Sequence, residues 1–137
     1  MRGILISLAL VFFALPTWAQ TAFDYDLCRA KDDPDNAISG CTALIQKGET
    51  DSDIFDLRAL AYFAKELYGQ AISDFTMAIT LGPENHTYYA LRGFAYEKNG
   101  QNTQAIADYR TAVKLNPPDS GAAKAALSRL KILGATP

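Results

Sequence analysis

Residues 52–85 read SDIFDLRALAYFAKELYGQAISDFTMAITLGPEN, and residues 86–119 read HTYYALRGFAYEKNGQNTQAIADYRTAVKLNPPD. Laid over one another, these two 34-residue stretches agree at eleven positions. Among them are Leu57/Leu91, Arg58/Arg92, Ala61/Ala95, Tyr62/Tyr96, Ala71/Ala105, Asp74/Asp108, Ala78/Ala112 and Pro83/Pro117. A repeat of this period means stacked supersecondary units, each unable to bury its apolar face alone.

Within each copy the apolar residues recur at helical spacing. Leu57, Ala59 and Tyr62 mark one helix, and Ala71, Phe75, Ala78 and Ile79 a second. Small residues at Ala59/Gly93 and Ala71/Ala105 allow close approach of two helices. Aromatics at Tyr62/Tyr96 and Phe75/Tyr109 fill the space between neighbouring pairs. Pro83 and Pro117 punctuate the second helices.

At these residues the chain resembles the tetratricopeptide repeat (TPR) family. The family pattern takes a large residue at repeat position 4, a small one at 8, aromatics at 11 and 24, Ala at 20 and 27, and Pro at 32. The first copy supplies Phe55, Ala59, Tyr62, Ala71, Phe75, Ala78 and Pro83. The second supplies Tyr89, Gly93, Tyr96, Ala105, Tyr109, Ala112 and Pro117. Position 7, usually Leu, departs from the pattern as Arg58 and Arg92. The resemblance implies an all-α solenoid of about three helix-turn-helix repeats with a C-terminal capping helix. Domain limits follow: a leader at 1–19, then one domain at 20–137. That domain comprises a degenerate repeat (21–49), two full repeats (52–85 and 86–119) and the cap (120–133).

The leader is read from its pattern. Arg2 precedes an apolar run at residues 4–15 broken only by Ser7, then Pro16 and Thr17-Trp18-Ala19. This is the layout of a secretory signal peptide, with cleavage expected near Ala19/Gln20. The competing reading is a membrane anchor, for which the run is too short. Loss of Arg2 would take the net charge from −2 to −3. The mature protein is then expected in the periplasm or medium, with no membrane span.

Shifting the repeat frame back once brings Ala37 to position 20, Leu44 to 27, Tyr25 to 8, and Cys28 and Cys41 to the aromatic slots 11 and 24. Helices are expected at residues 21–30 and 34–47, ended by Gly48. In an oxidising compartment, Cys28 and Cys41 are expected to pair as a disulfide. That requires the turn or a helix crossing to bring Cα atoms at different heights within about 7 Å. Tyr25 in place of a small residue argues against close packing of this pair. Further helices are expected at 51–66, 69–81, 85–99, 103–115 and 121–133, with residues 134–137 frayed.

The net charge of −2 gives no basic footprint for nucleic acid. The single histidine, His86, opens a helix with no ligand cluster beside it and reads as a surface residue. Asp32, Asp33 and Asp35 lack EF-hand spacing. No nucleophile–base or phosphate-cradling pattern appears, so neither an enzyme nor a cofactor is expected. Asn85-His86-Thr87 matches a glycosylation acceptor, a pattern with many false matches.

Arg58 with Asp74, and Arg92 with Asp108, keep the same relative places in both copies. They read as structural ion pairs between helices; the alternative is that the arginines reach a ligand carboxylate. The resemblance implies that the first helix of each repeat lines a concave groove through positions 2, 5, 9, 12 and 13. The groove is thereby assigned Asp53, Asp56, Leu60, Phe63, Phe94, Glu97 and Lys98, with Lys124 and Lys131 from the cap. Asp26, Arg29 and Ala30 stand at the matching places of the first repeat. Relatives that clamp a peptide carboxylate carry Asn at positions 6 and 9, whereas Leu57, Leu60, Leu91 and Phe94 stand here. The expected function is a non-catalytic module, monomeric or weakly oligomeric, that holds a peptide or protein segment. The alternative is a repeat protein that assembles with itself.

Overall fold

The computed structural model describes residues 16–117 and 119–137, among which seven helices occur and no strand. They are α1 (Thr17–Cys28), α2 (Pro34–Gln46), α3 (Ser52–Ala64), α4 (Tyr68–Leu81), α5 (His86–Lys98), α6 (Asn102–Leu115) and α7 (Gly121–Ile132). Each packs on the next in chain order, so the helices stack as three hairpins and a cap. First helices of adjacent pairs also touch, α1 with α3 and α5 with α7, and no second-helix pair packs to that extent. The stack therefore closes towards its first helices. The core runs along the interior as linked clusters. Ala59, Ala71, Phe75 and Ala95 form the middle one; Ala105, Tyr109, Ala112, Ala126 and Leu130 seal the cap.

Short polar side chains start four of the helices. Asp33 accepts from Asn36 N (3.0 Å), Asp51 from Asp53 N (3.0 Å), Asn85 from Thr87 N (3.1 Å) and Ser120 from Ala123 N (3.1 Å). Each satisfies an amide that the helix itself leaves unpaired. Pro34 follows Asp33 at the first position of α2. The reversals from α3 to α4 and from α5 to α6 pass through a left-handed residue at the same repeat position, Glu66 (φ 60°) and Gly100 (φ 76°). α4 begins at Tyr68, one residue before the expected start at 69.

The first pair differs from expectation in where α1 starts and in how closely its helices pack, and it carries the expected disulfide. Residues 1–15 of the leader lie outside the described residues, and Thr17, Trp18 and Ala19 open α1. Cys28 and Cys41 are disulfide-bonded, with Cα atoms 4.5 Å apart. Gly40 makes that approach possible. A Cβ there would lie 2.4 Å from Cys28 N and 2.6 Å from Asp24 O. The small residue of this hairpin thus sits on the second helix, at the position held by Asp74 and Asp108 in the full repeats. That is why Tyr25 does not prevent close packing.

The C-terminal residues do not fray. Ala135 N donates to Leu130 O (2.9 Å), Arg110 Nε donates to Thr136 O (2.9 Å), and Ala135 packs on the cap cluster. Gly134, at φ 68°, supplies the left-handed turn that sends the tail back onto α6.

Candidate functional site on the inner face of the first helices

The arginines of the repeats face inwards and are fully engaged. Arg58 Nε and Nη2 donate to Asp74 at 2.7 and 2.8 Å, while Nη1 donates to Thr42 Oγ1 of the preceding repeat at 3.1 Å. Arg92 repeats the pattern with Asp108 (2.8 Å twice) and Thr76 (3.0 Å). Both aspartates are buried. A planar fork bound bidentately, with its third nitrogen already paired, leaves little of either arginine for a ligand carboxylate. Thr42 and Thr76 occupy the same repeat position, a regularity the sequence contains. In the first pair, Asp24 stands where the arginines do. It is buried and takes Lys47 Nζ at 2.6 Å instead.

The exposed inner surface is apolar at its middle. Leu60 is 39% exposed. Phe63 of α3 and Phe94 of α5 are half-buried and stacked, with ring centroids 5.2 Å apart and planes at 23°. Tyr68 meets Phe63 edge-on at 5.2 Å. Two cations cover Phe94: Lys98 Nζ lies 5.4 Å, and Arg129 Cζ 5.5 Å, from its centroid. The stack bridges adjacent repeats, so it is both packing and surface.

The assigned charges divide into engaged and open ones. Asp53 accepts from the Tyr88 hydroxyl at 3.0 Å. Asp56 Oδ1 is buried with no hydrogen-bond partner. Burial, and then the nearby Asp53 charge, push the Asp56 carboxyl up to about 6. Glu97 is not an open groove acid. It accepts from Tyr109 Oη (2.9 Å) and Arg129 Nε (3.0 Å), and Arg129 Nη2 closes a second contact. These bonds lock α5, α6 and α7 together. Burial, helped by Asp108, raises the Tyr109 phenol to about 12, so it stays a donor at physiological pH. Lys98, Lys124 and Lys131 are exposed and have no carboxylate partner among the described residues. Arg129 reaches Phe94 from the cap. It escaped the sequence reading because the groove positions carried onto the cap fell on Lys124 and Lys131, and Arg129 lies between them.

Beside Leu60 the inner face deepens into a hollow of about 320 Å³ between the α1–α2 turn and α3. Leu57, Ala61 and Ala64 line it with Leu60, and Arg29 and Lys31 stand at its rim. Among the described residues, no cluster of His, Cys, Asp and Glu is arranged to hold a metal ion.

This architecture is similar to that of solved TPR domains, and residues 86–119 match the family model described as tetratricopeptide repeat. Among solved structures the chain is similar to the Arabidopsis OM64 TPR domain at 25% identity. The TM-score is 0.73, over 85% of this chain and 98% of that one. It is similar to the second TPR domain of human RPAP3, solved in complex with the HSP70 peptide SGPTIEEVD, at 26% identity. The TM-score is again 0.73, over 85% of this chain and 98% of that one. The first TPR of Spaghetti (RPAP3), bound to the HSP90 peptide SRMEEVD, shares the fold at 21% identity and TM-score 0.70, over 85% and 89% of the two chains. No curated protein matches the chain in sequence.

Proposed function

We propose that the protein is a non-catalytic interaction module, acting outside the cytoplasm, that holds a peptide or protein segment against the inner face of α1, α3, α5 and α7. The observation that carries this reading is the half-buried Phe63–Phe94 stack bridging two repeats on the same side as the exposed Leu60. Large apolar side chains at the centre of a contact supply most of its affinity. The RPAP3 domains named above bind peptides through the same fold, which supports a peptide ligand here. The ligand's end group should differ from those of carboxylate-clamping relatives, because Leu57, Leu60, Leu91 and Phe94 replace the clamp asparagines. The signal-like leader and the Cys28–Cys41 bond support export.

Affinity capture from periplasm or culture medium tests this, comparing wild type with Phe63→Ala/Phe94→Ala. A partner recovered by wild type and lost with the folded variant supports the groove. Equal recovery by both places binding elsewhere.

A second reading is self-assembly by end stacking. Phe23 on α1 and Ile132 on α7 are 55% and 64% exposed, at opposite ends of the stack. A concentration series by light scattering separates the two: constant mass supports the module, and growing oligomers support stacking.

A further inference from the structure

Charge is divided unevenly along the stack. Residues 16–85 hold twelve Asp and Glu against five Lys and Arg, a net −7. Residues 86–137 hold three against seven, a net +4. Of those three acids, Glu97 is held by Tyr109 and Arg129, and Asp108 by Arg92. Asp119, in the α6–α7 link, is the one that stands exposed. Lys98, Arg110, Lys114, Lys124 and Lys131 are all exposed, and none has a carboxylate partner among the described residues.

Four of these cations gather at the end of the stack. On α7, Ala123, Ala126 and Leu130 are buried in the core. At about 100° per residue, Lys124, Ser128 and Lys131 fall together on the opposite side of the helix, and all three are exposed. Arg129 marks the flank that faces α5, through Glu97. Arg110 and Lys114, one turn apart on α6, widen the surface, and Arg110 Nε reaches the returning tail at Thr136 O (2.9 Å). Ile132, 64% exposed, follows Lys131. Cations spread over a helix flank, with one protruding aliphatic residue among them, match a plane of repeated negative charges better than a single acidic side chain.

We propose that the α7 end of the stack docks on a negatively charged lipid surface, with Lys124 and Lys131 at the headgroups and Ile132 entering between them. The acidic half then points away from the membrane, because the field that draws the cations repels it. Asp119 offsets one of the cations, and the contact is reversible and weakened by salt. This docking does not depend on the inner-face peptide reading.

The test is co-sedimentation of the full chain with phosphatidylglycerol-containing vesicles and with pure phosphatidylcholine vesicles, at low and at physiological salt. Wild type should pellet preferentially with the anionic vesicles, and less so as salt rises. Lys124→Glu/Lys131→Glu should weaken that binding at least about tenfold, and Ile132→Ser should weaken it less. Lys31→Glu, at the other end of the stack, should leave it unchanged. The apolar run at residues 4–15 is common to all these proteins, so the difference between variants reads the α7 end alone. Equal pelleting with both vesicle types, or anionic binding that Lys124→Glu/Lys131→Glu leaves intact, would overturn the proposal. Salt-sensitive self-association without vesicle binding, abolished by the same double variant, would assign the surface to a second copy and overturn it too. Peptide capture that depends on Phe63 and Phe94 is measured separately, so the groove reading stands or falls by itself.

Discussion

Arg92 Nη1 donates to Thr76 Oγ1 at 3.0 Å, across the boundary between one repeat and the next. The same guanidinium holds Asp108 within its own repeat. Arg58 does likewise with Thr42 and Asp74. One side chain thus fastens three helices, and a position that the family usually gives to Leu becomes a polar clasp. Arg92→Ala strands the buried Asp108 charge. A loss of about 3 kcal/mol in urea unfolding is expected. Thr76→Val removes only the cross-boundary bond, for about 1 kcal/mol. An Arg92→Ala loss below that of Thr76→Val would mean that the aspartate is not dependent on its partner.

Glu66 occupies the left-handed place that Gly100 fills in the next repeat. A side chain there is strained by about 1–2 kcal/mol. Glu66→Gly should therefore raise stability by about 1 kcal/mol, and Gly100→Ala should lower it similarly, both measurable by thermal unfolding.

Asp56 should make stability fall as pH rises. Its carboxyl titrates near 6 in the folded chain, above its ordinary 3.8. The folded state thus holds a proton that the unfolded state has released between those values. That contribution is fully present below about pH 4 and is lost as pH rises through about 6. Asp56→Asn should stabilise the protein at pH 7.5 by about 1 kcal/mol after allowing for solvent access, and should flatten this part of the pH profile. An unchanged profile would mean that the carboxylate finds partners in solution.

Removing the Cys28–Cys41 bond should cost about 2–4 kcal/mol. Cys28→Ser/Cys41→Ser is expected to lower the unfolding midpoint while the helical circular dichroism signal remains. Mass spectrometry of the unreduced protein, showing no free thiol, checks the bond itself.

Much of the architecture was legible because the two full repeats restate the same small, aromatic and proline positions. The ion pairs were legible for the same reason: Arg58/Asp74 and Arg92/Asp108 recur in register. The first pair was harder. Its close approach depends on Gly40 facing Cys28 and Asp24, a relation between two helices that no single-helix spacing records. The frame placed Glu97 in the groove but could not show its partners, because a groove position says nothing about Tyr109 and Arg129 arriving from two other helices. The returning tail depends on Gly134 turning left-handed so that Thr136 meets Arg110, another contact between distant residues.

The half-buried Phe63–Phe94 stack is the centre of the proposed function, and amide chemical-shift mapping with a peptide selected from a display library tests it most directly. Saturating peptide should shift amides at Leu60, Phe63, Phe94 and Lys98 while leaving Met77 and Leu81, exposed on α4, unmoved. Phe63→Ala/Phe94→Ala gives the matching control. It should stay folded, losing about 1–2 kcal/mol for the broken stack, and should bind the peptide at least about tenfold more weakly. Shifts concentrated on α4 and α6, or full-strength binding by the folded double variant, would contradict the inner-face site.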